Sequence, residues 1–181
     1  MIESEHTLLV DVPIARVWDY VVNIRNWAEL MPGLRDCDII DENDSRWTPK
    51  IGVGGMVRTV KVAVHVDEWD GPERAVFSYR LEGDPVDGGG AYKAVPKGPD
   101  QTEITLAVRV VGSGPVAPMW EALGRPVLPQ FVKAFASQLK ERIEEASGAQ
   151  KPAAAAAPSL LAAIARWLRK LWQAIFGSAN R

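Results

Sequence analysis

Hydrophobic positions follow two different periods along this chain. From about residue 34 to residue 111 they alternate with polar positions, most clearly between Val60 and Val66, as expected for strands with one buried face. Residues 14–23 and 129–146 instead carry apolar side chains every three or four positions, which is typical of amphipathic helices. The pattern therefore predicts an α+β fold with a long antiparallel meander between helices.

The predicted elements follow one another with short connections. A first strand spans residues 5–12, and helices at 14–23 and 25–31 end before Pro32-Gly33, a pair that breaks helices. Within the meander, residues 57–69 read as one strand, and Gly88 to Gly90 indicate a bulge or bend. Residues 117–123 are predicted to form a short helix. The long helix follows after an interruption, Gly124 to Pro129, that can shorten it or reshape a cavity mouth.

A curved sheet covered by a single helix leaves a wedge between them, which is where an apolar ligand fits. The inward strand positions are almost wholly aliphatic, and aromatic residues suit the wall of such a pocket. Arg58 and Tyr79 are the polar residues that we expect to orient a buried carbonyl or hydroxyl group. The predicted ligand-binding residues are Trp18, Trp27, Met31, Val53, Arg58, Val62, Val64, Phe77, Tyr79, Tyr92, Leu106, Val108, Trp120, Leu128, Phe131 and Phe135.

Charge is distributed unevenly along the chain. The whole chain of 181 residues carries −2, whereas residues from 151 onward carry five cations and no acid, which leaves −7 on residues 1–150. An acidic body is repelled by nucleic acid, so we expect no nucleic-acid partner. The acidic first residues do not resemble a signal peptide, and the single cysteine, Cys37, permits no intrachain disulfide. These features predict a cytoplasmic protein.

The titratable residues do not predict a catalytic or metal site. The two histidines, His6 and His65, lie far apart, and His65 falls on the polar face of its strand. Neither they nor Cys37, which we expect to be a small core residue, show the spacing of zinc ligands. The glycines between Gly52 and Gly55 are not followed by the lysine and helix of a phosphate-binding loop. We expect no metal, no covalent cofactor and no catalytic residue.

The C-terminal region reads as an amphipathic helix, residues 159–177, on an Ala/Pro-rich flexible linker, residues 148–158. Its polar face carries Arg166, Arg169 and Lys170, which exclude a membrane span and suit anionic lipid headgroups. Docking on the chain's own domain, on a second copy or in a partner's groove are the alternatives. The broad apolar face contains Leu160, Leu161, Ile164, Trp167, Leu168, Leu171, Trp172, Ile175 and Phe176.

Three short motifs carry a resemblance to a known family. They are Val12-Pro13 followed by Val17-Trp18, then Pro32-Gly33 before the second strand, and Gly88 to Gly90 in the meander. With the order of elements, they resemble the START-like (SRPBCC) superfamily, and within it the CoxG group of carbon-monoxide-dehydrogenase accessory proteins. The resemblance covers residues 2–146 and implies a helix-grip fold, with the ligand-binding domain at residues 1–147.

The resemblance implies a carrier rather than an enzyme. CoxG proteins are similar in holding a hydrophobic molecule, such as a quinone or isoprenoid lipid, and in serving a molybdenum hydroxylase at the cytoplasmic membrane surface. Peripheral attachment to the inner face of the membrane follows for this chain as an expectation. Two alternatives stay open: an enzyme like a polyketide cyclase or aromatase, and a recruitment protein whose tail docks on another protein.

Overall fold

The computed structural model describes residues 1–53 and 56–148, apart from the side chains of residues 51–57, 116, 119, 120 and 123. A 3-10 turn, Gly114–Val116, precedes the third helix. The strands are β1 Ile2–Val10, β2 Leu34–Ile39, β3 Asp44–Val53, β4 Met56–Thr59, β5 Lys61–Asp70, β6 Arg74–Glu82, β7 Val86–Gly98 and β8 Gln101–Gly112. The helices are α1 Ile14–Val21, α2 Ile24–Glu29, α3 Ala117–Gly124 and α4 Leu128–Ala146.

The strands form one antiparallel sheet in the order β1-β8-β7-β6-β5-β3-β2, with β4 paired to β3 beside this path. All neighbours except β1–β8 and β5–β3 are consecutive along the chain, as expected where short turns join strands. The N-terminal strand closes the sheet against the last strand, pairing Ile2 with Val110 through to Val10 with Thr102. The predicted meander is confirmed, and with α4 it forms the helix-grip arrangement of the START-like fold.

Helix α4 supplies the apolar stripe that covers the sheet. Val132, Leu139 and Ile143 are buried on this stripe, while Phe131 and Phe135 are half-buried. Gly148 adopts a left-handed φ of 70° just after the helix, which glycine tolerates at a C-terminal cap. Sequence and structure agree on this helix and on its end.

The interruption between Gly124 and Pro129 separates two helices. Helix α3 ends at Gly124 and α4 begins at Leu128, with Pro129 in its first turn, where a missing backbone N–H costs little. A Cβ atom on Gly124 would lie 2.3 Å from Ile2 Cδ1, so glycine lets the end of α3 approach β1 closely. The side chain of Leu128 is buried directly after this break.

Two details of the predicted meander were wrong. Residues 57–69 do not form one strand: β4 ends at Thr59, and at Val60 the chain passes into β5. The valine at this junction keeps its backbone N–H paired, donating to the Pro49 carbonyl at 3.0 Å. The second error concerns Gly88 to Gly90, which lie inside continuous β7 and pair in regular register with Phe77, Ser78 and Tyr79 of β6.

The predicted linker and tail helix, together with all their membrane-binding residues, lie outside the described residues, apart from Gly148 at the start of the linker. Among the described helices, none is long and apolar enough to cross a membrane.

Candidate ligand-binding cavity

A cavity of about 330 Å³ lies between the inner face of the sheet and helices α2 and α4. This volume is within the range of about 300–1,000 Å³ that is usual for small-molecule sites. No charged residue lines it among the described residues. Its wall contains Ile24, Trp27, Met31, Trp47, Pro49, Val60, Val62, Val64, Val66, Trp69, Ala75, Phe77, Tyr79, Leu81, Ala91, Tyr92, Leu106, Ala107, Val108, Val110, Leu128, Phe131, Val132 and Phe135.

Most residues predicted from the sequence to bind a ligand line this cavity. They come from α2, Met31 just after it, four strands and α4, so the fold brings together positions up to about a hundred residues apart in the chain. The predicted residues in the wall are Trp27, Met31, Val62, Val64, Phe77, Tyr79, Tyr92, Leu106, Val108, Leu128, Phe131 and Phe135. The side chains of Val53 and Trp120 are among those that the structure does not describe.

The structure places Arg58 and Trp18 elsewhere. The guanidinium of Arg58 donates to Asp84 Oδ2 at 2.7 Å, and 65% of this side chain is exposed, so it is a surface ion pair instead of a polar group in the wall. Trp18 packs edge-on against Trp69 with ring centroids 5.9 Å apart, and its ring fits against Gly71. Trp18 thus supports the wall from behind.

Half of the wall was not predicted as site residues. Five of these residues follow the inward alternation of the meander, and this alternation is the signal that identifies them: Val60, Val66, Ala75, Leu81 and Val110. Five more are apolar residues whose sequence pattern does not distinguish a cavity-wall position from an ordinary core position, so only the structure assigns them to the wall: Ile24, Trp47, Pro49, Trp69 and Val132. The two remaining alanines of the wall, Ala91 and Ala107, carry no signal in the sequence pattern.

The polar atoms of the tryptophans that the structure describes in the wall are bonded to protein. The indole N–H of Trp27 donates to the Val21 carbonyl at 2.7 Å. That of Trp47 donates to Ser45 Oγ at 3.0 Å, and that of Trp69 donates to Asn43 Oδ1 at 3.1 Å. Their ring faces are left as apolar surface, while each donor is satisfied outside the cavity.

The two tyrosines of the wall differ in how their hydroxyl groups are bound. Tyr79 donates its hydroxyl to the Arg109 carbonyl at 3.0 Å, and burial raises the pKa of this phenol to about 12, against a smaller lowering effect of the Arg109 charge. Tyr92 is 1% exposed, and its hydroxyl has no hydrogen-bond partner in the structure. Burial also raises the pKa of Tyr92. Both phenols therefore stay protonated at neutral pH.

The remaining titratable candidates lie away from this wall. His65 is exposed on the outer face, 2.9 Å from Asp44 Oδ1, and this hydrogen bond raises the pKa of the imidazole. Cys37 is buried and free, as predicted for a core position, and burial raises the pKa of its thiol. Within the described part of the chain, no group of three or more His, Cys, Asp or Glu is placed to hold a metal ion.

The fold and cavity define a START-like protein built to enclose an apolar molecule. The model of one family, polyketide cyclase / dehydrase and lipid transport, matches residues 1–144, and the chain belongs to this family. No curated protein matches the chain.

Solved structures share the fold at low sequence identity. A conserved protein from Geobacillus kaustophilus is similar with a TM-score of 0.68 and 16% identity, over 80% of this chain and 96% of that one. A START superfamily protein from Mycobacterium smegmatis has a TM-score of 0.60 and 18% identity, over 79% and 97% of the two chains. The di-domain ARO/CYC protein StfQ of the steffimycin biosynthetic pathway has a TM-score of 0.59 and 15% identity, over 81% of this chain and 52% of its own.

Proposed function

We propose that this protein is a non-catalytic carrier of a hydrophobic ligand, a quinone or other isoprenoid lipid, and that it resembles the CoxG group in this role. The observation that carries the proposal is the chemistry of the cavity wall. No described residue of the wall is charged, and its three indole N–H groups and the Tyr79 hydroxyl are bonded to protein. Such a wall binds by burying apolar surface.

The same observation disfavours general acid–base catalysis in the cavity. A catalytic acid or base needs a titratable group within hydrogen-bond reach of its substrate and a pKa near the working pH. The only titratable groups of the described wall are the phenols of Tyr79 and Tyr92, whose pKa values burial raises. Ligand binding without turnover is the function that this chemistry supports best.

To test whether the protein carries such a ligand, the purified full-length protein is extracted with organic solvent and the extract is analysed by mass spectrometry. We expect an apolar molecule in stoichiometric amount. A matched control is Val108→Trp, which fills the cavity from its wall and should abolish the extracted signal while the protein stays folded. A wild-type extract without any such molecule, together with no binding of added quinone, would contradict the carrier function.

The partner is proposed from the resemblance to the CoxG group. We propose that the carrier serves a molybdenum hydroxylase at the inner face of the cell membrane, to which residues 159–177 attach it. Affinity purification of the tagged full-length protein from its native cells, followed by elemental analysis, should then recover molybdenum. A tagged protein whose residues Trp167 and Trp172 are replaced by alanine separates membrane attachment from partner binding. Recovery of molybdenum at background level from both proteins would argue against this partner.

An enzyme of the cyclase type is the second candidate, favoured by the family description and by the fold shared with StfQ. It requires a polar group that acts on the substrate, and Tyr92 is the only described wall tyrosine with an unpartnered hydroxyl. Incubation of the protein with a linear poly-β-ketone thioester should give no cyclised product beyond the spontaneous reaction. Faster cyclisation that disappears in Tyr92→Phe would establish the enzyme instead.

A further inference from the structure

One part of the cavity wall is built from two aromatic residues lying beside two glycines. Across the β6–β7 pair, Phe77 is opposite Gly90 and Tyr79 is opposite Gly88. A Cβ atom on Gly88 would lie 2.2 Å from Tyr79 Cζ, and one on Gly90 would lie 2.6 Å from Phe77 Cζ. Because a Cβ atom points out of the pleat, each ring occupies the space directly above the glycine beside it.

Tyr79 shows how far these rings reach over the sheet. Its hydroxyl bonds to the carbonyl of Arg109 in β8, so the side chain begins on β6, passes over Gly88 of β7 and ends at the next strand. A ring that extends across two strands lies along the sheet instead of standing up into the cavity. We refer to Phe77 and Tyr79 together as the aromatic floor.

The helical side of the cavity is aromatic as well. Phe131 and Phe135 of α4 lie with ring centroids 5.8 Å apart, and Trp27 of α2 stacks on Phe135 at 6.1 Å with an interplanar angle of 19°. All three residues line the cavity. A molecule bound there therefore meets ring faces or edges from the sheet and from the helices.

We propose that the aromatic floor determines ligand specificity, by favouring a planar unsaturated ring over a saturated ring of the same carbon skeleton. This inference rests on the proposed carrier function and adds a selection rule to it. A planar ring stacks on, or meets edge-on, the faces of Phe77 and Tyr79, and aromatic pairs gain binding free energy beyond the area they bury. A puckered saturated ring gains only the buried area. Gly88 and Gly90 are the positions that allow the floor to lie flat.

The test compares two probes, 2-naphthol and decahydro-2-naphthol, by isothermal titration calorimetry on the full-length protein. The probes share a carbon skeleton and a hydroxyl group, and differ in planarity. For each protein, the ratio of the two affinities is measured, so that the difference in water solubility cancels between wild type and variant. In Phe77→Leu and in Tyr79→Leu, we expect this ratio to fall about threefold to tenfold, the range that an aromatic pair supports.

Tyr20→Leu is the matched control, because Tyr20 is a partly buried tyrosine of α1 outside the cavity wall. Its ratio should equal that of wild type, and circular dichroism checks that each variant is folded. If both probes bind and the ratio is the same in wild type, Phe77→Leu and Tyr79→Leu, the floor does not select planar rings and the inference is wrong, while the carrier function stands. If neither probe binds wild type, the inference is wrong, whereas the carrier function is judged separately by solvent extraction and by binding of added quinone.

Discussion

At the scale of single residues, the hydroxyl of Tyr92, a residue of the cavity wall, is a buried polar group that the protein leaves without a partner. This group is buried without a hydrogen-bond partner, whereas the hydroxyl of Tyr79 in the same wall donates to a backbone carbonyl. A buried polar group without a partner costs about 1–3 kcal/mol, while a satisfied one contributes about 0.5–1.5 kcal/mol. The two tyrosines thus make a matched pair, in which replacement by phenylalanine should change the free energy of unfolding in opposite directions.

Tyr92→Phe is expected to raise the free energy of unfolding of the ligand-free protein by about 1 kcal/mol or more, because it removes the unpaired group and keeps the ring. Tyr79→Phe should lower it by about 0.5–1.5 kcal/mol, since it removes a hydrogen bond. Urea unfolding followed by tryptophan fluorescence measures both changes. A destabilised Tyr92→Phe variant would mean that this hydroxyl has a partner, such as a water molecule, in solution.

Gly88 shows why a small residue is required beside the aromatic floor. A Cβ atom there would lie 2.2 Å from the Tyr79 ring and 2.4 Å from the Arg109 carbonyl oxygen, closer than atoms approach. Gly88→Ala is expected to lower the free energy of unfolding by about 1–3 kcal/mol, as other overpacked positions do. Gly98→Ala is the control, since nothing lies within 4 Å of its Cβ position and its change should stay within about 0.5 kcal/mol. Equal stability of the two variants would show that both the ring of Tyr79 and the backbone at Arg109 move aside at little cost.

At the scale of the elements, the hydrophobic period predicted the strands and helices well because each element has one face in the core. Alternation between Ala75 and Leu81 correctly assigned the inner face of β6, and helical spacing correctly placed Val132, Leu139 and Ile143 on the buried side of α4. Which face a residue occupies depends on the local geometry of its own strand or helix, and the hydrophobic period along the sequence reflects that geometry directly.

The prediction failed where the neighbouring strand decides the outcome. Three successive glycines indicate a bulge when β7 is considered by itself, but the rings of Phe77 and Tyr79 on β6 explain Gly88 and Gly90. The prediction for Arg58 failed for the same reason, because its partner Asp84 lies 26 residues away in the turn after β6. Contacts between distant segments leave no periodic trace in the sequence.

Arg58→Ala tests the corrected position of this residue. Because its guanidinium is exposed and bonded to Asp84, we expect the affinity for 2-naphthol to change by less than about twofold. Exposed ion pairs contribute about 0–1 kcal/mol, so the loss of stability should stay within that range. Asp84→Asn removes the other partner and should behave alike. A drop in affinity of about tenfold in Arg58→Ala alone would place this residue in the ligand site after all.

At the scale of the whole molecule, the proposed carrier combines parts with opposite charge. Residues 1–150 carry −7 and residues from 151 onward carry +5. Anionic lipid therefore repels the domain that holds the cavity and attracts the C-terminal region. The proposed attachment should thus depend both on apolar burial by the tail and on the charge of the lipid surface.

Co-sedimentation of the full-length protein with vesicles tests the contributions of apolar burial and of lipid charge to this attachment. Wild type should bind vesicles containing phosphatidylglycerol at low salt, bind less at high salt, and bind neutral phosphatidylcholine vesicles weakly, because screening removes the attraction of the cations. Replacing Trp167 and Trp172 by alanine should remove apolar burial and weaken binding to both vesicles. Replacing Arg166, Arg169 and Lys170 by glutamine should instead remove the preference for anionic lipid. If all three proteins stay in the supernatant with both vesicles, the proposed membrane attachment is wrong, and docking of residues 159–177 on protein becomes the hypothesis to test.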